Sequence, residues 1–288
     1  MNRRTFAAIL VPALKAFGAP AESEASRFAP FEGCRVHYES YGSGPEAVVF
    51  IHGWTCDLTF WREQAPIYKA HRSLLIDLPG HGLSDKPMVP YPMEFFARGI
   101  EAAMLDAGVE RAALVGHSLG GPIAYTFLRM FPEQVKALVL VDATVSATPN
   151  SKGFRAAQQV QYQHRSQSLT GAAGEKYFLA QVESMFSSKL SPSMRASIRA
   201  KMLATPEWVR VAAVTSQSEL DPPPPGESFN IPALAIQAAK KGTEERAAAM
   251  RSIFPRLRLE KWENSGHFLM MEDPGRFNRS LEKFLGGL

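Results

Sequence analysis

Segments rich in apolar residues alternate with segments of helical periodicity along most of the chain. Four runs dominated by apolar residues predict strands that are buried on both faces: 47–51, 73–78, 112–115 and 136–141. Residues 34–41 alternate between polar and apolar positions, which is typical of an exposed strand. Periodic apolar positions predict three helices in the same region: 60–70, 93–107 and 119–131. Repeated strand–helix–strand units favour a mainly parallel sheet with helices on both faces.

This alternation stops after residue 142. Residues 143–230 have four helical patterns and no convincing strand pattern: 154–169, 175–186, 192–203 and 206–219. Strand patterns resume at 233–236 and 257–262, with helical patterns at 243–254 and 274–285. The sequence therefore predicts one α/β core, made of residues 29–142 and 231–288, with an inserted helical cap at 143–230. Insertions near the strand ends of such a sheet commonly cover the ligand crevice.

The first 28 residues differ from the rest of the chain. Arg3 and Arg4 precede an apolar stretch at 6–14, and Ala19-Pro20-Ala21 resembles a cleavage site. This order predicts an export signal and therefore a periplasmic or secreted protein. The paired arginines are also typical of the twin-arginine route. A disordered extension on a cytoplasmic protein is the alternative.

Charge and hydropathy restrict the partners. The chain of 288 residues has 32 Lys and Arg against 28 Asp and Glu, and three of the cations lie in the first 21 residues. The body has no dense block of Lys or Arg, so nucleic acid is not an expected partner. The longest apolar run has nine residues, whereas a membrane-spanning helix needs about 20. No integral membrane segment is expected.

Two cysteines, Cys34 and Cys56, are too few for a disulfide framework or a cysteine metal cluster. One disulfide between them in an exported protein and a pair of buried thiols are both compatible with the sequence. The chain has no H-E-x-x-H motif, Walker-type loop or G-x-G-x-x-G element. Neither a metal nor another cofactor is therefore expected.

The strongest chemical signal is Gly116-His117-Ser118-Leu119-Gly120, between a predicted strand and a predicted helix. A G-x-S-x-G motif in this context forms a tight, strained turn that projects the serine hydroxyl from the backbone. Glycines are needed because Cβ atoms would collide with the neighbouring strand and helix. Ser118 is therefore the predicted nucleophile.

With four further stretches, this motif resembles the α/β-hydrolase superfamily, and within it the capped, esterase-like serine hydrolases, over roughly residues 30–288. The further stretches are Phe50-Ile51-His52-Gly53-Trp54, Asp77-Leu78-Pro79-Gly80-His81-Gly82-Leu83-Ser84, Leu138 to Asp142, and Ser265-Gly266-His267-Phe268 followed by Glu272-Asp273-Pro274. The resemblance implies an α/β-hydrolase sheet with an inserted cap. Epoxide hydrolases and dehalogenases of this superfamily carry aspartate at the elbow, so a serine implies an acyl-enzyme instead.

The resemblance places the catalytic base at His267, which follows the last predicted strand. Most family members carry the third, acidic residue just after the strand that follows the cap, but Lys241 occupies that position here. Asp142 is one substitute, because some branches place their acid there and it preserves the order Ser, Asp, His. Asp142 could instead be an acid at the hinge where the inserted cap begins. Glu244 or Glu245 is a second substitute, and a dyad without an acid is also open.

Backbone N–H groups of Leu119 and Trp54 are expected to form the oxyanion hole, where the helix that Leu119 opens adds its dipole. Trp54 and Phe268 are expected to line the substrate pocket, although core packing is an alternative role for the Trp54 indole. A few aromatic and apolar side chains of the cap are expected to complete an apolar pocket. The candidates are Tyr162, Tyr177, Phe178, Met185, Phe186, Met202 and Trp208.

These residues predict a serine hydrolase, most specifically a carboxylesterase that cleaves small to medium apolar esters through an acyl-enzyme. A carbon–carbon bond hydrolase or a cofactor-free haloperoxidase-like enzyme of the same fold is the nearest alternative. A non-catalytic ligand-binding protein on this fold is the alternative of another class. It is motivated by the missing acid at the usual position.

Overall fold

The computed structural model describes residues 25–145 and 152–288. Their sheet has eight strands in the order β1-β2-β4-β3-β5-β6-β7-β8. In chain order, these are β1 (Ala25–Phe31), β2 (Cys34–Tyr41), β3 (Glu46–Ile51), β4 (Ser73–Ile76), β5 (Arg111–His117), β6 (Val135–Val141), β7 (Ala233–Ala238) and β8 (Leu257–Trp262). The strands β3 to β8 pair in parallel, whereas β1 and β2 are antiparallel to their neighbours. The predicted mainly parallel sheet is confirmed.

Helices cover this sheet, and four of them lie between β6 and β7. In chain order, they are α1 (Ala65–Tyr68), α2 (Met93–Asp106), α3 (Gly120–Met130), α4 (Lys152–Gln167), α5 (Gly171–Ser184), α6 (Pro192–Leu203), α7 (Glu207–Glu219), α8 (Thr243–Ile253), α9 (Leu269–Glu272) and α10 (Pro274–Leu285). The helix predicted at 60–70 is divided into a 3₁₀ helix, Leu58–Gln64, and α1. Pro66 lies in the first turn of α1, where its missing N–H is tolerated, so a new helix begins there.

Four helices, α4 to α7, lie between β6 and β7, within the segment predicted to form a cap. We refer to α4–α7 as the helical insertion. In it, α4 packs against α7. Across the described parts of the chain, no helix combines the length and the apolar character needed to cross a membrane.

The central strands bury both faces, as their apolar runs predicted. Every residue of β4 and β7 is buried, and so are all residues of β6 except Lys136. The carboxyl ends of parallel strands meet at one edge of a sheet, where ligands commonly bind. The loops after β3, β5, β6 and β8 therefore converge at this edge.

The strand β1 begins inside the segment that was interpreted as a leader. It pairs with β2 through a two-residue turn at Glu32 and Gly33, whose φ angles are 43° and 78°. Positive φ at both central residues is typical of a type I′ hairpin. Ala29 and Phe31 are buried in the core. Residues 25–28 therefore belong to the sheet, while the predicted export signal lies outside the described residues.

Both cysteines are free thiols: Cys34 is partly buried and Cys56 is buried. Burial raises the pKa of each thiol. Of the two alternatives, the structure therefore has unpaired thiols rather than a disulfide.

Candidate active site

The candidate nucleophile Ser118 lies in the turn between β5 and α3. Its φ angle is 52°, in the left-handed region that residues other than glycine rarely adopt. A Cβ on Gly116 would lie 2.4 Å from the Gly120 carbonyl oxygen, and one on Gly120 would lie 2.5 Å from the Ile51 carbonyl oxygen. Glycine therefore permits a close approach between helix and strands at this turn. This is the strained geometry that the motif predicts.

Ser118, His267 and Asp142 form a continuous chain of hydrogen bonds. The Ser118 Oγ lies 2.7 Å from His267 Nε2, and His267 Nδ1 lies 2.6 Å from Asp142 Oδ2. An ionised carboxylate only accepts hydrogen bonds, so Nδ1–H donates to Asp142 and Nε2 accepts from the Ser118 hydroxyl. In this arrangement, an imidazole can remove the serine proton during nucleophilic attack.

Asp142 is fixed by hydrogen bonds to its backbone and its side chain. Its N–H donates to the Ile236 carbonyl at 2.8 Å, and its Oδ1 accepts from the Ala238 N–H at 3.1 Å. Oδ2 also accepts from Lys240 Nζ at 3.0 Å. Burial raises the pKa of Asp142, but the hydrogen bonds and charges of His267 and Lys240 outweigh burial and hold this pKa well below its usual range. The carboxylate is therefore ionised at neutral pH.

The two glutamates weighed as alternative acids lie elsewhere. Glu244 and Glu245 are exposed in the first turn of α8, where Glu244 pairs with Lys261 at 2.7 Å. Lys241, at the usual position of the acid, is exposed as well. The strand β6 ends one residue before Asp142, at the same sheet edge as Ser118, so the structure places Asp142 rather than either glutamate against His267.

His117 holds the loop that carries His267. Its Nε2–H donates to the His267 carbonyl oxygen at 2.8 Å, and the two ring centres lie 4.7 Å apart. Burial, with the charge of His267, lowers the pKa of His117 to about 3, so its ring is neutral at physiological pH. Sequence reasoning missed this contact, because a local motif does not indicate which distant loop a side chain meets.

The loop after β3 passes directly against the nucleophile. A Cβ on Gly53 would lie 3.0 Å from Ser118 Cβ. His52 fixes this loop, since its Nδ1–H donates to the Gly53 carbonyl at 2.8 Å and its Nε2 accepts from the Leu78 N–H at 3.0 Å. Burial lowers the pKa of His52, which favours the neutral ring that these two bonds require.

The two residues predicted to supply the oxyanion hole, Trp54 and Leu119, both line the cavity at Ser118. Leu119 is the N-cap residue of α3, where the helix dipole is positive. In the part of the chain that the structure describes, neither Trp54 nor Leu119 donates its backbone N–H to a carbonyl group. A free N–H at each of these two positions is what the predicted oxyanion hole requires.

Ser118 opens into a cavity of about 390 Å³ between the sheet and the helical insertion. Trp54 and Phe268, the two residues predicted to line the pocket, both line it. Three of the apolar and aromatic candidates from the insertion do so as well: Tyr162, Met185 and Met202. The wall also has charged side chains, Arg165 and Lys240, that the expectation of an apolar pocket did not include. Among the described residues, no group of three or more His, Cys, Asp and Glu side chains could hold a metal ion.

Comparison with known proteins identifies the family. A sequence model of the alpha/beta hydrolase fold matches residues 46–274. The chain belongs to the alpha/beta hydrolase fold family. An uncharacterized protein of Mycobacterium tuberculosis is 29% identical over 285 residues, which cover 90% of this chain and 80% of that protein. A 2-hydroxy-6-oxononadienedioate/2-hydroxy-6-oxononatrienedioate hydrolase of Burkholderia vietnamiensis is 37% identical over 113 residues, which cover 37% of this chain and 39% of that protein.

Solved structures agree on the fold. A hydrolase from Pseudomonas aeruginosa has a TM-score of 0.79 and 21% identity, covering 91% of this chain and 98% of that chain. Other proteins with this fold include esterases, an epoxide hydrolase, an enol-lactonase and a bromoperoxidase. At such low identity, these structures establish the shared fold and not a shared reaction. Family membership, with hydrolases among its relatives, supports hydrolase activity.

Proposed function

We propose that this protein is a serine hydrolase, most specifically a carboxylesterase that cleaves small to medium esters through an acyl-enzyme. The observation that carries the proposal is the hydrogen-bond chain from Ser118 through His267 to Asp142, at 2.7 and 2.6 Å. These distances suit activation of a hydroxyl nucleophile. The cavity of about 390 Å³ at Ser118 suits a small or medium ligand.

In the acylation step, Ser118 Oγ bonds to the ester carbonyl carbon while His267 Nε2 takes the hydroxyl proton. The carbonyl oxygen becomes an oxyanion, which the backbone N–H groups of Trp54 and Leu119 stabilise. Asp142 stays ionised and stabilises the imidazolium form of His267. The tetrahedral intermediate then collapses, the ester C–O bond breaks, and the alcohol leaves with the proton from His267.

In the deacylation step, water attacks the acyl carbon of the Ser118 ester while His267 takes a proton from that water. The same two N–H groups stabilise the second oxyanion. Collapse of this intermediate breaks the bond to Ser118 Oγ, which recovers its proton from His267, and the carboxylic acid leaves. The depressed pKa of Asp142 matters in both steps, because a protonated Asp142 could not stabilise the imidazolium.

Hydrolysis of a carbon–carbon bond is a second candidate, favoured by the similarity to the Burkholderia hydrolase. A nucleophile, a base and an oxyanion site could serve that reaction too, with a carbanion as leaving group. A non-catalytic binding protein is less well supported, since its motivation was a missing acid and Asp142 lies 2.6 Å from His267.

A substrate panel tests the proposal. p-Nitrophenyl esters of two to eight acyl carbons are compared with β-diketones, using the wild type and Ser118→Ala. We expect ester turnover by the wild type and a loss of kcat/KM on the order of 10⁴-fold or more in Ser118→Ala. Ser252→Ala, at an exposed serine of α8, is the matched control and should retain full activity. Diketone cleavage without ester turnover would favour the second candidate, and ligand binding without turnover would favour a binding protein.

A further inference from the structure

Arg165, in α4, lies in the wall of the cavity that contains Ser118, and no carboxylate among the described residues pairs with it. Its guanidinium carbon lies 4.3 Å from the centre of the Trp54 ring, and its Nε is buried without a hydrogen-bond partner. Burial lowers the pKa of Arg165, and the ionisable groups that oppose this shift are two tyrosines, Tyr162 and Tyr177. A guanidinium nevertheless stays charged in proteins.

The chain nearby does not supply the missing carboxylate. Residues 146–158, which lead into the described half of α4, contain no Asp or Glu. Among the described side chains that line the cavity, three are charged: Arg165, Lys240 and Asp142. Lys240 and Asp142 pair with each other at 3.0 Å. The guanidinium is therefore the uncompensated charge of this wall.

Arg210 gives a useful comparison, because it belongs to the same layer of aromatic rings. Its guanidinium carbon lies 4.6 Å from the ring centre of Phe178, which in turn meets the Trp54 ring edge-on at 5.2 Å. Burial lowers the pKa of Arg210, and two carboxylates, Glu207 and Glu175, oppose that shift. Neither arginine forms an ion pair with a described residue, and Arg210 also has two buried nitrogens, Nε and Nη1, without a hydrogen-bond partner. The difference is that Glu207 and Glu175 lie near enough to Arg210 to stabilise its charge, whereas Arg165 lines the cavity with tyrosines as its ionisable neighbours.

A half-buried charge without a counterion is costly, and the face of an indole ring compensates it only in part. A ligand with a carboxylate would supply the missing counterion. A guanidinium presents its N–H donors in a planar fork that matches the two oxygens of a carboxylate. Trp54 links Arg165 to the proposed oxyanion site, because its ring packs against the guanidinium and its backbone N–H belongs to that site.

We propose that the substrate of this enzyme carries a carboxylate that pairs with Arg165 while its ester carbonyl lies at Ser118. The ester part of this statement rests on the proposed function, whereas the anion site does not. The expected substrates are then half-esters of dicarboxylic acids, or hydroxy acids that are acylated on the hydroxyl group and keep a free carboxylate.

The test compares esters that differ by one charge. Monomethyl adipate and methyl hexanoate share the same acyl chain, which ends in a carboxylate or in a methyl group. A second pair, 4-acetoxybenzoate and 4-methylphenyl acetate, places the charge on the alcohol side. Proton release gives kcat/KM for all four. The quantity of interest is the ratio of kcat/KM for the charged ester to that for the neutral ester of each pair.

We expect Arg165→Gln to lower this ratio about 10- to 100-fold in at least one pair, the size of a lost charge-assisted hydrogen bond. Arg165→Lys should retain part of it. Arg199→Gln, at an arginine of α6 that pairs with Glu183, is the matched control and should leave the ratio unchanged. If Arg165 served packing against Trp54, its loss would slow both esters equally. Unchanged ratios in both pairs would therefore overturn the proposal.

A binding measurement separates this proposal from the proposed function. Adipate is titrated calorimetrically into Ser118→Ala and into the double variant Ser118→Ala/Arg165→Gln. Adipate binding that needs Arg165, together with a wild-type protein that turns over no ester, would support the anion site and contradict the esterase. Ester turnover with equal adipate binding, or none, in both proteins would contradict the anion site and leave the esterase standing.

Discussion

The two walls of the cavity are built differently. On the sheet side, each member of the proposed triad has defined hydrogen-bond partners: Ser118 pairs with His267, His267 with Asp142, and Asp142 with the backbone of Ala238. On the side of the helical insertion, the wall combines Tyr162, Met185, Met202 and the uncompensated Arg165. The difference suggests that the sheet side determines the reaction, because its geometry is complete without a ligand. The insertion would select the substrate, because the charge of Arg165 would be compensated only by a bound ligand.

The two walls are joined next to His267, the proposed catalytic base. The His267 N–H donates to the carbonyl of Met185, just after α5, at 2.9 Å. The loop of His267 is thus held by hydrogen bonds to His117 and to the insertion. A substrate that contacts Met185 would therefore lie close to the proposed base.

The largest effect on the sheet side is expected when Asp142 loses its charge and keeps its shape. Asp142→Asn should lower kcat by about 10²- to 10⁴-fold, because an amide can stabilise the wrong imidazole tautomer and cannot compensate the imidazolium. Steady-state kinetics on the best p-nitrophenyl ester measures the loss, and circular dichroism checks the fold.

Glu244→Gln is the matched control for this substitution, since it neutralises an exposed carboxylate that pairs with Lys261. It should change kcat less than about 3-fold, as expected for an exposed ion pair. Near-full activity of Asp142→Asn together with inactive Glu244→Gln would reverse the assignment of the acid.

A smaller effect is expected on the stability of the protein at acid pH, which should depend on two buried histidines of the sheet side. Burial lowers the pKa of His81 and His117 to about 3, against about 6.5 in an unfolded chain. Between these values, the unfolded chain binds protons that the native protein excludes. The free energy of unfolding should therefore fall as the pH drops below about 6.5, by about 1.4 kcal/mol per pH unit for each of the two rings.

Urea unfolding between pH 6.5 and pH 4.5 measures this slope. His117→Gln should reduce it by about 1.4 kcal/mol per pH unit, the contribution of one histidine. His164→Gln, at an exposed histidine of the insertion, should leave it unchanged. Equal slopes in the wild type and His117→Gln would show that His117 is not held neutral by its surroundings.

The sheet side was largely predictable from the sequence. Parallel strands buried on both faces must be apolar along their length, so β3, β5 and β6 could be read from short apolar runs. The elbow around Ser118 has a local motif, because its backbone geometry requires glycine. The position of Asp142 against His267 follows from the strand order, which brings the end of β6 beside β7.

Other features depend on contacts that local patterns do not encode. The strand β1 was missed because the leader interpretation covered its first half and because Glu32-Gly33 is not one of the residue pairs that usually signal a two-residue hairpin turn. The part of Arg165 in the cavity wall could not be predicted, since helical periodicity does not tell which face of α4 meets the sheet. The contact of His117 with the His267 loop joins positions 150 residues apart.

Covalent labelling shows whether the sheet side activates Ser118 as a nucleophile. The wild type and Ser118→Ala are treated with a fluorophosphonate probe, and the labelled peptide is identified by mass spectrometry. We expect stoichiometric modification of Ser118 in the wild type and none in Ser118→Ala. A folded wild-type protein that is not labelled, or equal labelling of both proteins, would show that Ser118 is not an activated nucleophile.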